Sequence, residues 1–244
     1  MDFNNAAGFL GQKADNNEAQ FVVYYLSHAM VFCTGVIIEP HVVLTPASCV
    51  FGEKYRFDVF AGSHMFLEKS GISRTVNNLC IHQGYNHSLR WKDCQPDNLA
   101  LLILSEQFSF HQPEEGADYV VNKVRYGSAA PRVETRHRDR SCRLYGWGSR
   151  RGDDIGSVVV CSGFVLGMMT SRLIDRPCGV GFLDLTKYAK FLTCGVDDSR
   201  DVIDHEAIME FDYTTEPLMT LYTVSPGKDK KNSQNETEET TEVP

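Results

Sequence analysis

Short runs of β-branched and aromatic residues, broken by glycine and proline, set the rhythm of the first hundred positions. Phe21–Tyr25, Val31–Ile38 and His41–Thr45 read as consecutive antiparallel strands, with Gly35 and Pro40 as punctuation. Arg56–Gly62 and Ser73–His82 continue the series, and the unbroken apolar run Leu99–Leu104 predicts a buried strand. Beyond Gly146 the pattern returns in Val158–Cys161, Phe164–Thr170 and Val180–Leu185. Helical periodicity is absent until Thr186–Leu192, where Leu185, Tyr188, Ala189 and Leu192 fall on one face and predict a short C-terminal helix. Many short strands with turn signals between them define an all-β barrel or sandwich. There are no internal repeats.

The character changes after Cys194. Residues 197–224 are acidic yet carry Ile203, Ile208, Met209, Phe211, Leu218, Met219, Leu221 and Tyr222, so part of this stretch is expected to pack on the body. Residues 225–244 hold too little apolar surface to order themselves and read as a disordered tail. From Asp197 to Pro244 there are 13 acidic and 4 basic residues, a net of −9 against −8 for the whole chain. The body is therefore almost neutral, which argues against nucleic-acid binding, since that needs a basic footprint. A composition of 42% hydrophobic and 23% charged residues is that of an ordinary globular protein. No apolar run reaches the roughly 20 residues of a bilayer-spanning helix, and no membrane partner is expected. The polar start, Met1–Asn17, lacks the basic start and the apolar core of a secretory signal.

The cysteines are Cys33, Cys49, Cys80, Cys94, Cys142, Cys161, Cys178 and Cys194. An even number, dispersed and never in a CxxC pair, suits a disulfide framework better than a zinc site. No metal or cofactor is expected. The framework places the chain outside the reducing cytosol. Two glycosylation sequons, at Asn86 and Asn235, agree with secretion.

Phe32-Cys33-Thr34-Gly35-Val36-Ile37-Ile38, followed by Val42-Val43-Leu44-Thr45-Pro46-Ala47-Ser48-Cys49, resembles a trypsin-like serine protease. There, the second strand runs into Val-Leu-Thr-Ala-Ala-His-Cys, whose His is the general base. Asp97-Asn98-Leu99-Ala100-Leu101-Leu102 is similar to the family's Asp-Ile-Ala-Leu-Leu, which puts the orienting aspartate at Asp97. Cys142-Arg143-Leu144-Tyr145-Gly146-Trp147-Gly148 is similar to the Cys-x-x-x-Gly-Trp-Gly that opens the second barrel. Gly179-Val180-Gly181-Phe182 and Lys187–Leu192 stand near the family's closing strand and terminal helix. The resemblance covers about Phe9–Leu192 and implies one domain over 9–194, preceded by a remnant of a leader (1–8) and followed by a partly ordered acidic extension (195–224) and the tail (225–244). It implies two six-stranded antiparallel β-barrels. The interval between Trp147 and Gly152 is several dozen residues shorter than the family's. Either the second barrel is incomplete, with 197–222 filling part of the space, or the correspondence over the last third is misplaced. The resemblance implies the bridges Cys33–Cys49 and Cys142–Cys161. Cys80–Cys94 is expected as a local clip, and Cys178–Cys194 follows by elimination.

The family's chemistry needs a Ser hydroxyl deprotonated by a His whose other ring nitrogen is held by a buried Asp. Here the His position is Ser48, which has no proton-accepting state near neutral pH. The nucleophile's Gly-Asp-Ser-Gly-Gly-Pro faces Gly152-Asp153-Asp154-Ile155-Gly156-Ser157. Aligning from Gly152 puts Asp154 at the Ser, whereas counting back from Cys161 puts Ile155 there. Asp97 alone survives and reads as structural, retained for its hydrogen bonds. Where the family has Ser-Trp-Gly lining the substrate groove, this chain has Thr170, Ser171 and Arg172, and the arginine would block the specificity pocket. The activation site is also absent, since Phe9-Leu10-Gly11-Gln12 follows Gly8 rather than a basic residue.

The expectation is a secreted, catalytically inactive homolog of a serine protease that binds a protein, such as an active protease or a protease substrate or inhibitor. Family members of this kind, many of them in insects, serve as cofactors, decoys or carriers in haemolymph, immunity and reproductive fluids. Two alternatives stand beside it. One is a divergent hydrolase using His82 or His87 with Asp93. The other is polyanion binding through Arg132, Arg136, Arg138, Arg140, Arg143, Arg150 and Arg151, against which stand the interleaved Glu134 and Asp139.

Overall fold

The computed structural model describes residues 12–26, 32–52, 56–65, 70–89, 95–127, 142–147, 154–171 and 181–194, together with the backbone of 219–223. Strands β1 (Val22–Leu26), β2 (Phe32–Glu39), β3 (Val42–Thr45), β4 (Asp58–Ala61), β5 (Ile72–His82) and β6 (Ala100–Leu104) form a closed antiparallel barrel in the order β1-β2-β3-β6-β5-β4. The Tyr24–Phe60 pair between β1 and β4 closes it. At 11 residues, β5 is long enough to serve two neighbours. Ile72–Thr75 pair with β4, and Val76–Ile81 with β6, the change of partner falling at a bulge between Val76 and Asn78.

Continuous apolar runs in β2, β3 and β6 have one cause: both faces of these strands are buried. Cys33, Ile37, Val43, Ala100 and Leu102 point into the barrel, while Val36, Ile38, Val42, Leu44 and Leu101 belong to a second core shared with the other half of the molecule. Side chains alternate between the two cores with the period of two that a strand imposes. The other half is a sheet of four antiparallel strands, β7 (Cys142–Tyr145), β8 (Val158–Cys161), β9 (Phe164–Ser171) and β10 (Gly181–Asp184), in the order β10-β9-β8-β7. Two expected strands are missing among the described residues, so the second barrel is incomplete. Backbone bonds tie the halves together, with Thr34 N–H donating to the Ile155 carbonyl at 2.9 Å and Val165 N–H to that of Arg125 at 2.9 Å.

Three expectations are corrected. The predicted C-terminal helix is instead two 3₁₀ turns, Leu185–Tyr188 and Phe191–Thr193. Asp184 caps the first by accepting from Thr186 N–H at 3.1 Å, and the segment ends at a tethered cysteine before an α-helix could lengthen. That tether is the second correction. Cys33–Cys49 and Cys142–Cys161 are bridged as expected, but Cys80 is bonded to Cys194, in place of Cys80–Cys94 and Cys178–Cys194. Cys80 points into the second core, where Phe191 and Leu192 also bury, and this brings the two Cα atoms to 6.6 Å. Cys94 and Cys178 lie outside the described residues. Third, strand β11 (Met219–Thr223) does not complete the second barrel but adds to β5 of the first. The rest of 197–222 lies outside the described residues, as do 1–11 and the tail.

Candidate functional site

The site lies where β3 ends. Pro46 halts the strand, and Ala47–Val50 make one helical turn that carries Ser48 to the mouth of the barrel. The Cys33–Cys49 bridge, with a Cα separation of 6.2 Å, locks that turn onto β2. Facing Ser48 is Asn98, 4% exposed and two residues before β6. Its Oδ1 accepts from Ser48 N–H at 2.7 Å, and its Nδ2 donates to Ser48 Oγ at 3.1 Å and to the Thr170 carbonyl at 3.3 Å. One amide thereby joins the helical turn, the start of β6 and the end of β9.

Asp97 is turned away. Its backbone adopts a left-handed φ of 63°, which points consecutive side chains in different directions. The carboxylate accepts from the Tyr188 hydroxyl at 3.0 Å and lies 3.8 Å from His82 Nδ1. It also fills the space a Cβ on Gly84 would need. The position against the turn therefore belongs to Asn98, not to Asp97 as the sequence comparison assigned it. Asp97 is bonded to the Tyr188 hydroxyl instead of the turn. Counting back from Ala100-Leu101-Leu102, rather than matching aspartate to aspartate, would have found Asn98.

Of the two candidates for the nucleophile position, Asp154 is 9% exposed and accepts from the buried Thr34 hydroxyl at 2.7 Å. Ile155 is buried in the barrel core together with Ala47 and Cys49, the residues flanking Ser48. The turn is set by Gly156, at φ 96°, where a Cβ would collide with the Thr34 carbonyl. An apolar side chain thus stands at one candidate position, in the same core as the Ser48 turn, and the neighbouring carboxylate is engaged by Thr34. Ser171 is likewise occupied, its Oγ accepting from Gly181 N–H at 2.7 Å. Arg172 lies outside the described residues.

The alternative sites are described only in part. His82 Nδ1 accepts from Gly84 N–H at 3.2 Å, and burial pulls its pKa below the usual histidine value despite the nearby Asp97. His87 stacks on Phe51 with ring centroids 4.7 Å apart. Asp93 lies outside the described residues, as do Arg132, Arg136, Arg138, Arg140, Arg150 and Arg151. Arg143 pairs with Glu18. Asn86 is exposed and accepts from Ser88 N–H at 3.0 Å, while Asn235 lies outside the described residues. Among the described residues no group of three or more His, Cys, Asp or Glu could hold a metal.

A closed antiparallel barrel joined to a second antiparallel sheet, with the site in the seam between them, defines a protein of the chymotrypsin fold. The trypsin family model matches residues 9–172, and the chain belongs to that family. Mouse kallikrein 1-related peptidase b24 is 27% identical over 146 residues, covering 57% of this chain and 51% of the relative, so the chain spans about half that relative's length. Among solved structures, an inactivated protease paralogue of the scabies mite aligns with a TM-score of 0.60 at 17% identity, over 76% of this chain and 95% of its own. Human heparin binding protein aligns with a TM-score of 0.54 at 16% identity, over 78% and 96%. At these identities the structural likeness is one of fold.

Proposed function

We propose that this protein is a catalytically inactive member of the trypsin family that works by binding another protein outside the cell. The observation that carries the reading is the identity of the three side chains at the triad positions, Ser48, Asn98 and Ile155. A base, its orienting carboxylate and a nucleophile are all needed for acyl transfer, and losing one member alone costs on the order of 10⁴–10⁶ in turnover. Asn98 cannot supply the negative charge that would stabilise an imidazolium, and Ile155 has no lone pair to attack a carbonyl. The geometry is nonetheless well satisfied, since Asn98 uses both ends of its amide. That is how a retained scaffold differs from a damaged one. The disulfides support an extracellular setting. The scabies mite neighbour, called inactivated, is a precedent for this fold without activity.

The test is direct. Incubated with a fluorophosphonate probe and with peptide esters, the purified protein is expected to show neither labelling nor turnover. Ser48→His alone stays inert, because Asn98 and Ile155 remain. Stoichiometric labelling of any serine would overturn the reading.

A further inference from the structure

His82, the last residue of β5, has two partners competing for one ring nitrogen. Its Nδ1 accepts from Gly84 N–H at 3.2 Å, so in the neutral imidazole the proton sits on Nε2. The same Nδ1 lies 3.8 Å from Asp97 Oδ1, beyond hydrogen-bond range but within reach of the carboxylate's charge. The rings of Tyr188 and Phe191 bracket the imidazole in T-shaped contacts, with centroids 5.3 and 5.1 Å away. The His82 side chain is 14% exposed and that of Asp97 30%, so protons reach both from solvent.

Neutral and protonated His82 need different partners. Nδ1 accepts a bond only while it carries no proton. Once protonated, it turns an N–H toward the Gly84 N–H, and the two donors repel. The acceptor at hand is Asp97, where closing about 1 Å makes a charge-assisted hydrogen bond. That carboxylate packs directly on Gly84, so the exchange takes place among three groups in contact. Among the described residues packed on the ring, Asp97 and Tyr188 are the titratable ones, while Gly84 and Phe191 bring no charge. On the same C-terminal turns Lys187 pairs with Asp184, and Lys190 is exposed. Asp97 is also tied to the site. Its carbonyl accepts from Leu99 N–H at 2.8 Å, and the Leu99 carbonyl accepts from His82 N–H at 2.9 Å. Between Asp97 and Leu99 stands Asn98, whose amide holds Ser48 N–H and the Thr170 carbonyl.

We propose that His82, Gly84 and Asp97 form a proton-operated latch behind the Ser48 site. Near neutral pH the imidazole is bonded to Gly84. On acidification it releases Gly84 and binds the Asp97 carboxylate, competing with the Tyr188 hydroxyl for Oδ1 and pulling on the backbone that sets Asn98 against Ser48. Burial favours the neutral form more than Asp97 opposes it, so the change falls below the ordinary histidine value of 6.5. The latch does not depend on whether the protein is active.

The test is a titration of the full, nitrogen-labelled chain by NMR, from about pH 8 to about pH 5. At the upper end the His82 ring should report the Nε2–H form. As the ring gains its proton, Gly84 N–H should shift upfield on losing its acceptor, and Ser48 N–H should move with the same midpoint. Asp97→Asn keeps an oxygen for the Tyr188 hydroxyl but removes the charge, so the His82 midpoint should fall and the Ser48 response should vanish. Tyr188→Phe keeps the ring beside His82 and frees Asp97 Oδ1, so the midpoint should rise. The proposal is overturned if neutral His82 is the Nδ1–H form, or if Gly84 or Ser48 does not follow its titration. It is equally overturned if Asp97→Asn leaves the midpoint or the Ser48 response in place. Should Asp97→Asn fail to fold, Tyr188→Phe decides, and an unchanged or lowered midpoint there rules the latch out. None of these readouts touches serine labelling, so the latch and the inactive-protease reading can fail separately.

Discussion

Removing the Cys80–Cys194 bridge should destabilise the protein more than removing Cys33–Cys49, and the difference can be worked from the chain. The first bridge closes a sequence separation of 114 residues, the second one of 16. In the chain-entropy description, a bridge stabilises by denying the unfolded chain its open conformations, with a cost that grows as the logarithm of loop length. That gives about 4.7 kcal/mol for the long loop and about 3 kcal/mol for the short one. Of the bridges among the described residues, Cys142–Cys161 lies inside the long loop and shortens its free contour by 19 residues, which changes the logarithm very little. Cys33, Cys49 and Cys80 are buried and Cys194 is partly buried, so cavity terms on replacement by alanine differ little between the two pairs and do not reverse the order. For a domain of this size, 1 kcal/mol shifts Tm by about 2–4 °C, so the double variants should lose about 9–19 °C and 6–12 °C. The assay is thermal and urea unfolding of C80A/C194A and C33A/C49A without reductant, read by two probes to check for a two-state transition. If C33A/C49A proves as damaging as C80A/C194A, loop entropy is not what these bridges contribute. Local strain or residual structure in the unfolded chain would then dominate.

Other outcomes follow from the same contacts. Asn98→Ala strips Ser48 N–H and the Thr170 carbonyl of a buried partner and should cost about 1–3 kcal/mol in urea unfolding. Thr34→Val removes the donor to the buried Asp154 carboxylate and should cost a similar amount, whereas Thr34→Ser, which keeps the hydroxyl, should cost less. His82 has a folded pKa below its ordinary value of 6.5, so the unfolded chain binds the proton more readily. Its contribution is complete above pH 6.5 and is lost as pH falls toward the folded pKa. In His82→Asn that portion of the acid sensitivity should vanish from a pH series of unfolding midpoints. Mass mapping of protein made by a secretory host should find Cys80–Cys194 beside Cys33–Cys49 and Cys142–Cys161. It should also find a glycan at Asn86 that is lost in Asn86→Gln.

Ser48 was legible because the cysteine beside it and the strand before it form a rigid local frame, in which position along the chain equals position in space. The strands were legible for a related reason: β2, β3 and β6 are buried on both faces, and such strands write themselves as unbroken apolar runs. The bridges Cys33–Cys49 and Cys142–Cys161 join near neighbours in sequence, so resemblance over a short stretch sufficed. Asn98 was not legible beside Asp97, because the choice between two adjacent polar residues depends on a left-handed backbone at Asp97 and on partners, Tyr188 and Thr170, that lie more than seventy residues away. Ile155 was left undecided against Asp154 until Thr34, 120 residues distant, claimed the carboxylate. Cys80–Cys194 and the pairing of β11 with β5 were misjudged for the same reason. Residue types and spacing determine which segments become strands and which residues stand at the family's catalytic positions. Which distant groups meet is decided by the closing of the barrel, since only then do strand faces acquire neighbours.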